Sequence, residues 1–211
     1  MIDLDAMQAF VRDYLLRHEP PVVPGPNSWR KSAVARWEHT KRVLAMAQEI
    51  ARGENADLDV ITVATIFHDV AKLNTAQEDH AVCGANIARD YLIRAGLSTD
   101  WVERVCQIIV HHPAAHITPP PEMSLEVAVL RDADRLDETG ALGIVWSAMN
   151  VGIIAPSYAQ ARERFSHVNV ENAQEVVAHM LTPTGRRIAE QRWVFVVKFI
   201  AQLNQEMEVN H

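Results

Sequence analysis

A chain of 211 residues, 48% of them apolar and 22% charged, carries enough apolar surface for one well-filled core, and this composition excludes a disordered chain. Its net charge of -7 offers phosphate backbones no uniform attraction, which argues against sequence-independent binding of long nucleic acid. Two cysteines, Cys83 and Cys106, lack the spacing of a redox pair or disulfide scaffold and read as buried thiols of a reducing compartment.

The first predicted element is a helix over residues 2–18. Asp3 and Asp5 stand where a secretory signal would carry basic residues, and no later apolar run reaches the ~20 residues that cross a bilayer, so a cytoplasmic protein without membrane contact is expected. Pro20, Pro21, Pro24 and Pro26 with Gly25 then impose a loop. Helical spacing resumes over 30–52, 57–72, 79–95 and 100–112, where Asp100 and Glu103 have the spacing of a capping box. Pro113 and the run Pro119, Pro120, Pro121 bound a second loop, followed by helices over 124–138, 140–150, 157–165 and 170–181. Thr182-Pro183-Thr184-Gly185 marks the last boundary, before an apolar helix over 184–206 that starts on Arg186 and Arg187.

No run alternates apolar and polar residues, so the expected fold class is all-α. The expected organisation is an N-terminal helix and Pro-rich loop over 1–28, a central bundle over 29–150, and C-terminal helices over 151–211 packed on that bundle. Gly140 and Gly143 flank a helix that can approach a neighbour closely, either within the chain or in a homodimer.

Chemistry concentrates in Ile66-Phe67-His68-Asp69-Val70-Ala71-Lys72. Ile61, Ala64, Thr65 and His68 share the i, i+3, i+4, i+7 face of a buried helix, so His68 points inward beside a carboxylate. Burying that pair costs several kcal/mol unless it is compensated by partners or a metal, though a simple helix cap would also use these residue types. His39 lies on one stripe with Val43, Met46 and Ile50, which makes it a second inward imidazole. His80, His111 and His112 and the carboxylates of Arg131-Asp132-Ala133-Asp134-Arg135-Leu136-Asp137 add further candidates, and His and carboxylate groups spread over several helices are how bundles build metal sites. Helical phase does not separate Asp132, in register with Leu125 and Val129, from Asp134, in register with Val127 and Leu130.

The order His39, then His68-Asp69, then Asp132-Ala133-Asp134-Arg135-Leu136-Asp137 resembles the signature of the HD superfamily of metal-dependent phosphohydrolases. The resemblance runs from about Arg36 to Gly143 and makes the central bundle an HD domain. The segment from Met180 to Glu208, with Thr182, Gly185, Ala189 and Arg192, is similar to small bacterial HD proteins. The resemblance implies that His39, His68, Asp69 and Asp134 hold one divalent metal among Mn, Fe, Co, Ni and Zn. It leaves Asp132 and Asp137 to cap, pair with an arginine or support the ligands.

Two further segments resemble the dinuclear branch, which includes dinucleoside polyphosphate hydrolases and a few oxygenases. His80-Ala81-Val82-Cys83-Gly84-Ala85 is similar to its His-x-x-x-Gly-Ala segment, and Ile108-Ile109-Val110-His111-His112 to its Ile-x-x-His segment. Ile108 points to His111 and Ile109 to His112; phase favours His112, which continues the row Val102, Val105 and Ile109. A second metal would then be held, with Asp69 as the bridge. Lys72 matches the basic position that follows the pair in the family and would hold a phosphate oxygen, and Arg135 is a second candidate for that role.

The reaction expected from the resemblance is hydrolysis of a small phosphorylated metabolite or nucleotide by a metal-activated water. A di-iron oxygenase would use the same ligands. A non-catalytic module that senses a nucleotide belongs to another class, and an intact ligand set argues against it because such clusters cost stability without a metal.

Overall fold

The computed structural model describes residues 2–21, 23–25, 27–74, 80–113, 123–154 and 157–208, the side chains of residues 153, 154 and 168 excepted. The expected loop at Pro119, Pro120 and Pro121 lies outside these. Helices α1 (Leu4–Arg17), α2 (Ala33–Glu54), α3 (Leu58–Phe67), α4 (His80–Arg94), α5 (Thr99–His111), α6 (Leu125–Leu136), α7 (Gly140–Ile154), α8 (Tyr158–Arg164), α9 (Val170–Ala178) and α10 (Pro183–Met207) follow one another, with a 3-10 turn at Ser28–Lys31 and a π-helical turn at Phe165–Asn169. The described residues contain no strand, and the fold is all-α. None of these helices is long and apolar enough to cross a membrane.

Local chemistry explains at least half of the ten described helix starts. Asp3, Ser32, Asp57, Ser157 and Thr182 each accept a hydrogen bond from the backbone N–H three residues on, which satisfies a donor that a helix N-terminus leaves over. The helix expected at 100–112 starts one residue earlier, and its predicted box is not formed. Ser98 precedes the first turn, while Glu103 takes a forked ion pair from Arg89 at 2.6 and 2.9 Å. A bidentate guanidinium partner on α4 is worth more to this carboxylate than one backbone N–H.

The helix expected over 57–72 ends at Phe67, and residues 68–74 form turns with the i→i+3 bonds Val70 N to Phe67 O and Lys72 N to Asp69 O. The tighter winding brings Asp69 and Lys72 to the same side as His68.

The chain divides into two compact units, residues 1–134 and 135–211, so the boundary expected at residue 150 falls inside α7. In the first unit, α1 contributes Met7, Val11 and Leu15, α2 Val43, Ala47 and Ile50, α3 Ile61, Ile66 and Phe67, and α5 Val102, Val105 and Ile109 to a fully buried core. Phe10, Phe67 and Tyr91 tie α1, α3 and α4 together, with Phe10 and Tyr91 ring centroids 4.6 Å apart. In the second unit, Ile144 and Val151 of α7 pack with Phe165, Ala173, Val196 and Ile200. Gly140 opens α7 at φ +68°, and a Cβ there would meet the Arg192 side chain at 3.1 Å; one on Gly143 would meet the Glu138 carbonyl. Close packing inside this unit therefore accounts for both glycines. Cys106 is buried, Cys83 half-buried, and both are free thiols.

Candidate metal centre

The buried apolar face of α3 carries the chain into His68, which is fully buried, and Asp69, which is nearly so. His68 Nδ1 lies 2.7 Å from the Thr65 carbonyl. A carbonyl only accepts, so Nδ1 carries the proton and Nε2 keeps its lone pair facing inward. That lone pair meets His39 Nε2 of α2 at 3.3 Å, and His39 Nε2 stands 3.1 Å from Asp134 Oδ1 of α6. His39, His68 and Asp134 form one group of convergent donor atoms.

The same arrangement recurs alongside. His112 Nδ1 lies 2.6 Å from the Ile109 carbonyl, which again turns Nε2 inward. That Nε2 stands 3.3 Å from His80 Nε2, and His80 Nε2 stands 3.4 Å from Asp69 Oδ1. Asp69, His80 and His112 form the second group. Asp69 joins the two: Oδ1 faces His80 and His112, and Oδ2 faces His39 at 3.6 Å and His68 at 3.9 Å.

The donor sets fit divalent transition metals. Ligands 2.0–2.2 Å from one ion lie about 3.0–3.6 Å from each other, close to the separations within each group. The two imidazoles whose outer nitrogens are fixed by carbonyls have the second-layer hydrogen bonds that metal-ligating histidines carry.

The electrostatics favour a cation as well. Burial holds the His68 imidazole down to about 4, so it is neutral and able to ligate at pH 7. Burial works to raise Asp69, but the neighbouring His68, His112, Lys72 and Arg36 hold it well below the usual carboxylate range. Of these, Lys72 and Arg36 keep their charge when the imidazoles are neutral. Asp134 is lowered in the same way, burial being outweighed by the hydrogen bond and charge of His39. Two carboxylates thus stay ionised in a largely buried site, which is costly unless cations stand against them.

The structure brings His39, His68, Asp69, His80, His112 and Asp134 together, and Lys72 beside them, its Nζ 3.7 Å from Asp69 Oδ1. Two further candidates make other contacts. His111 is exposed, and its carbonyl accepts from Arg131. Arg135 pairs with Glu175 of α9 at 3.2 Å in the second unit. Asp132 is buried, more so than Asp134, yet belongs to neither group.

Sequence reasoning missed Arg36. Its guanidinium is buried, donates from NH1 to Asp69 Oδ2 at 2.9 Å, and is steadied by Nε donating to the Arg30 carbonyl at 3.0 Å. The available signal was an arginine three residues before His39, on the same inward stripe as Val43, Met46 and Ile50.

Comparison with known proteins bears on family and fold. The family model for the HD domain matches residues 36–139, which span every residue of both groups. The chain is 28% identical over 175 residues to YpgQ, an uncharacterized protein of Bacillus subtilis, covering 81% of this chain and 83% of that one. A predicted HD-superfamily hydrolase from an uncultured Thermotogales bacterium superposes with a TM-score of 0.66 at 28% identity, over 96% of this chain and 92% of that one. An HD-superfamily hydrolase of Bacillus thuringiensis shares the fold at a TM-score of 0.71 and 23% identity, over 98% and 97% of the two chains. HD domains bind divalent metals, and the described residues of this chain include two His/Asp groups that could hold one. The chain is an HD-domain protein with the fold of the HD-superfamily hydrolases.

Proposed function

We propose that the protein is a metal-dependent phosphohydrolase acting on a small phosphorylated metabolite or nucleotide, with two divalent metals held by His39, His68 and Asp134 on one side and His80 and His112 on the other. The observation that carries this reading is Asp69, whose two oxygens each face one of the donor groups. When bound, a metal pair supplies a water acidic enough to attack at neutral pH and offsets the negative charge of the phosphoryl oxygens.

The chain's own residues do the rest. Asp69 bridges the groups and fixes their separation, and Arg36 keeps its carboxylate ionised and oriented. Lys72, with about a fifth of its side chain exposed, reaches the rim of the site, where its ammonium can hold a phosphate oxygen as charge builds on it. Hydrolysis forms a bond from water oxygen to phosphorus and breaks the phosphorus–oxygen bond to the leaving group.

A crystal structure of Bacillus subtilis YpgQ is of a complex with ADP, which makes nucleoside phosphates the first compounds to screen. The test is phosphate release from nucleoside mono-, di- and triphosphates with Mn, Co, Ni, Zn or Fe, beside an Asp69→Asn variant. Turnover that needs the metal and falls at least about a hundredfold in the variant is expected. A folded Asp69→Asn protein with full metal-dependent turnover would overturn the reading. Oxygen consumption by an iron-loaded protein without phosphate release would assign the site to a di-iron oxygenase, and nucleotide binding without either reaction to a sensing module.

A further inference from the structure

A cation of the chain itself sits against the Asp69–His80–His112 group. Lys72 Nζ lies 3.0 Å from His80 Nε2 and 3.7 Å from Asp69 Oδ1. These are the two atoms through which His80 and Asp69 face each other, 3.4 Å apart. An ammonium has three donors and no acceptor, so Lys72 donates and His80 Nε2 accepts. An imidazole nitrogen has one lone pair in the ring plane. His80 Nε2 can give it to the ammonium or to a metal, and not to both.

We propose that Lys72 is an internal competitor for the second metal: it holds the Asp69–His80 edge until a divalent ion displaces it, which makes this the weaker of the two sites and the second to fill. The proposal rests on the metal-centre part of the reading above. His39, His68 and Asp134 converge with separations of 3.1 to 3.9 Å, on the far side of Asp69 from the Lys72 contact. The displaced ammonium has somewhere to go. Lys72 follows the turn closed by its own N–H on the Asp69 carbonyl, and its flexible four-carbon stem is partly exposed, so the head can swing to the mouth of the site. Filling of the second site and release of a cation for an anionic substrate then become one event, and the form with one metal lacks both the second ion and the free lysine.

The test is Mn(II) binding to the full-length, chelator-treated protein, followed by the signal of free Mn(II), for the wild type, Lys72→Met and His80→Ala. Wild type is expected to show a tight and a weak class, and His80→Ala to lose the weak one. In Lys72→Met the weak class tightens by at least about tenfold while the tight class moves by less than about twofold, because charges a few ångströms apart interact by well over thermal energy at a partly buried site. Lys72→Gln, with thermal unfolding of each variant, guards against a packing effect of the methionine and is expected to shift the same class. A weak class that stays put or loosens in both Lys72 variants overturns the proposal, as does equal tightening of both classes, the mark of diffuse charge. Absence of any Mn(II) binding by the wild type overturns the metal centre and the proposal together. Binding shifts as expected with no turnover of any phosphorylated compound would leave the proposal standing and remove the phosphohydrolase reading alone.

Discussion

At the scale of single residues, the clearest consequence of burial is acid lability of the metal-free protein. His68 is held down to about 4 in the fold against an ordinary value of 6.5, so between those values the unfolded chain binds a proton that the folded chain refuses. Stability therefore rises with pH through that window and is lost on acidification, by roughly 3 kcal/mol across the full window. Asp69 and Asp134, both lowered, add a second loss only below the usual carboxylate range, where their unfolded forms take up protons. Urea denaturation in the presence of chelator at pH 7, 6 and 5 checks this. The midpoint should fall with each step, and less so in a His68→Asn variant; a midpoint indifferent to pH would show that His68 is not buried as a neutral group.

The same scale marks the limit of legibility in the sequence. His39 and His68 were readable because each continues an apolar stripe whose period is set by the helix. Asp132 and Asp134 were not separable by that argument, since each is in register with apolar residues of α6; in the structure Asp132 is buried, while the partly exposed Asp134 is the one that meets His39. Arg36 escaped because its partner Asp69 is 33 residues away, and a periodicity argument has no access to such a contact.

At the scale of elements, the site depends on how closely α4 rides over the turn that ends α3. Gly84 lies one turn after His80 on the same face, and a Cβ there would sit 3.4 Å from the carbonyl oxygens of both Phe67 and His68. A methyl group at that distance would be in contact with the turn, so the approach of α4 that sets His80 opposite Asp69 leaves no room for a branched side chain. A Gly84→Val substitution overpacks this contact, a change that costs about 1–3 kcal/mol in well-packed interiors, and pushes His80 outward. Mn(II) affinity of the second group should fall by about tenfold or more, with the first group little affected. Equal affinities in variant and wild type would show that α4 is not positioned by this contact. The order and extent of the helices were legible from Pro, Gly and capping residues. The end of α3 at Phe67 was not, because Val70, Ala71 and Lys72 continue a helical pattern; the early stop reflects the pull of the buried polar residues toward partners on α2, α4 and α5.

At the scale of the whole molecule, both donor groups found among the described residues lie in the first compact unit, which ends on Asp134. The HD family model stops at residue 139, and the second unit builds its own core from α7, α9 and α10. The all-α class was legible from periodicity throughout. The division after residue 134 was not, because α6 crosses it without a Pro or Gly.

In the proposed metal centre one carboxylate, Asp69, joins two groups of donor atoms, one completed by His80 and His112. Elemental analysis of the purified, metal-reconstituted protein beside His80→Ala, His112→Ala and His111→Ala variants tests it most directly. About two transition-metal ions are expected per wild-type chain, about one in the His80 and His112 variants, and no loss in His111→Ala. Two ions retained in His112→Ala, or none bound by the wild type, would contradict it.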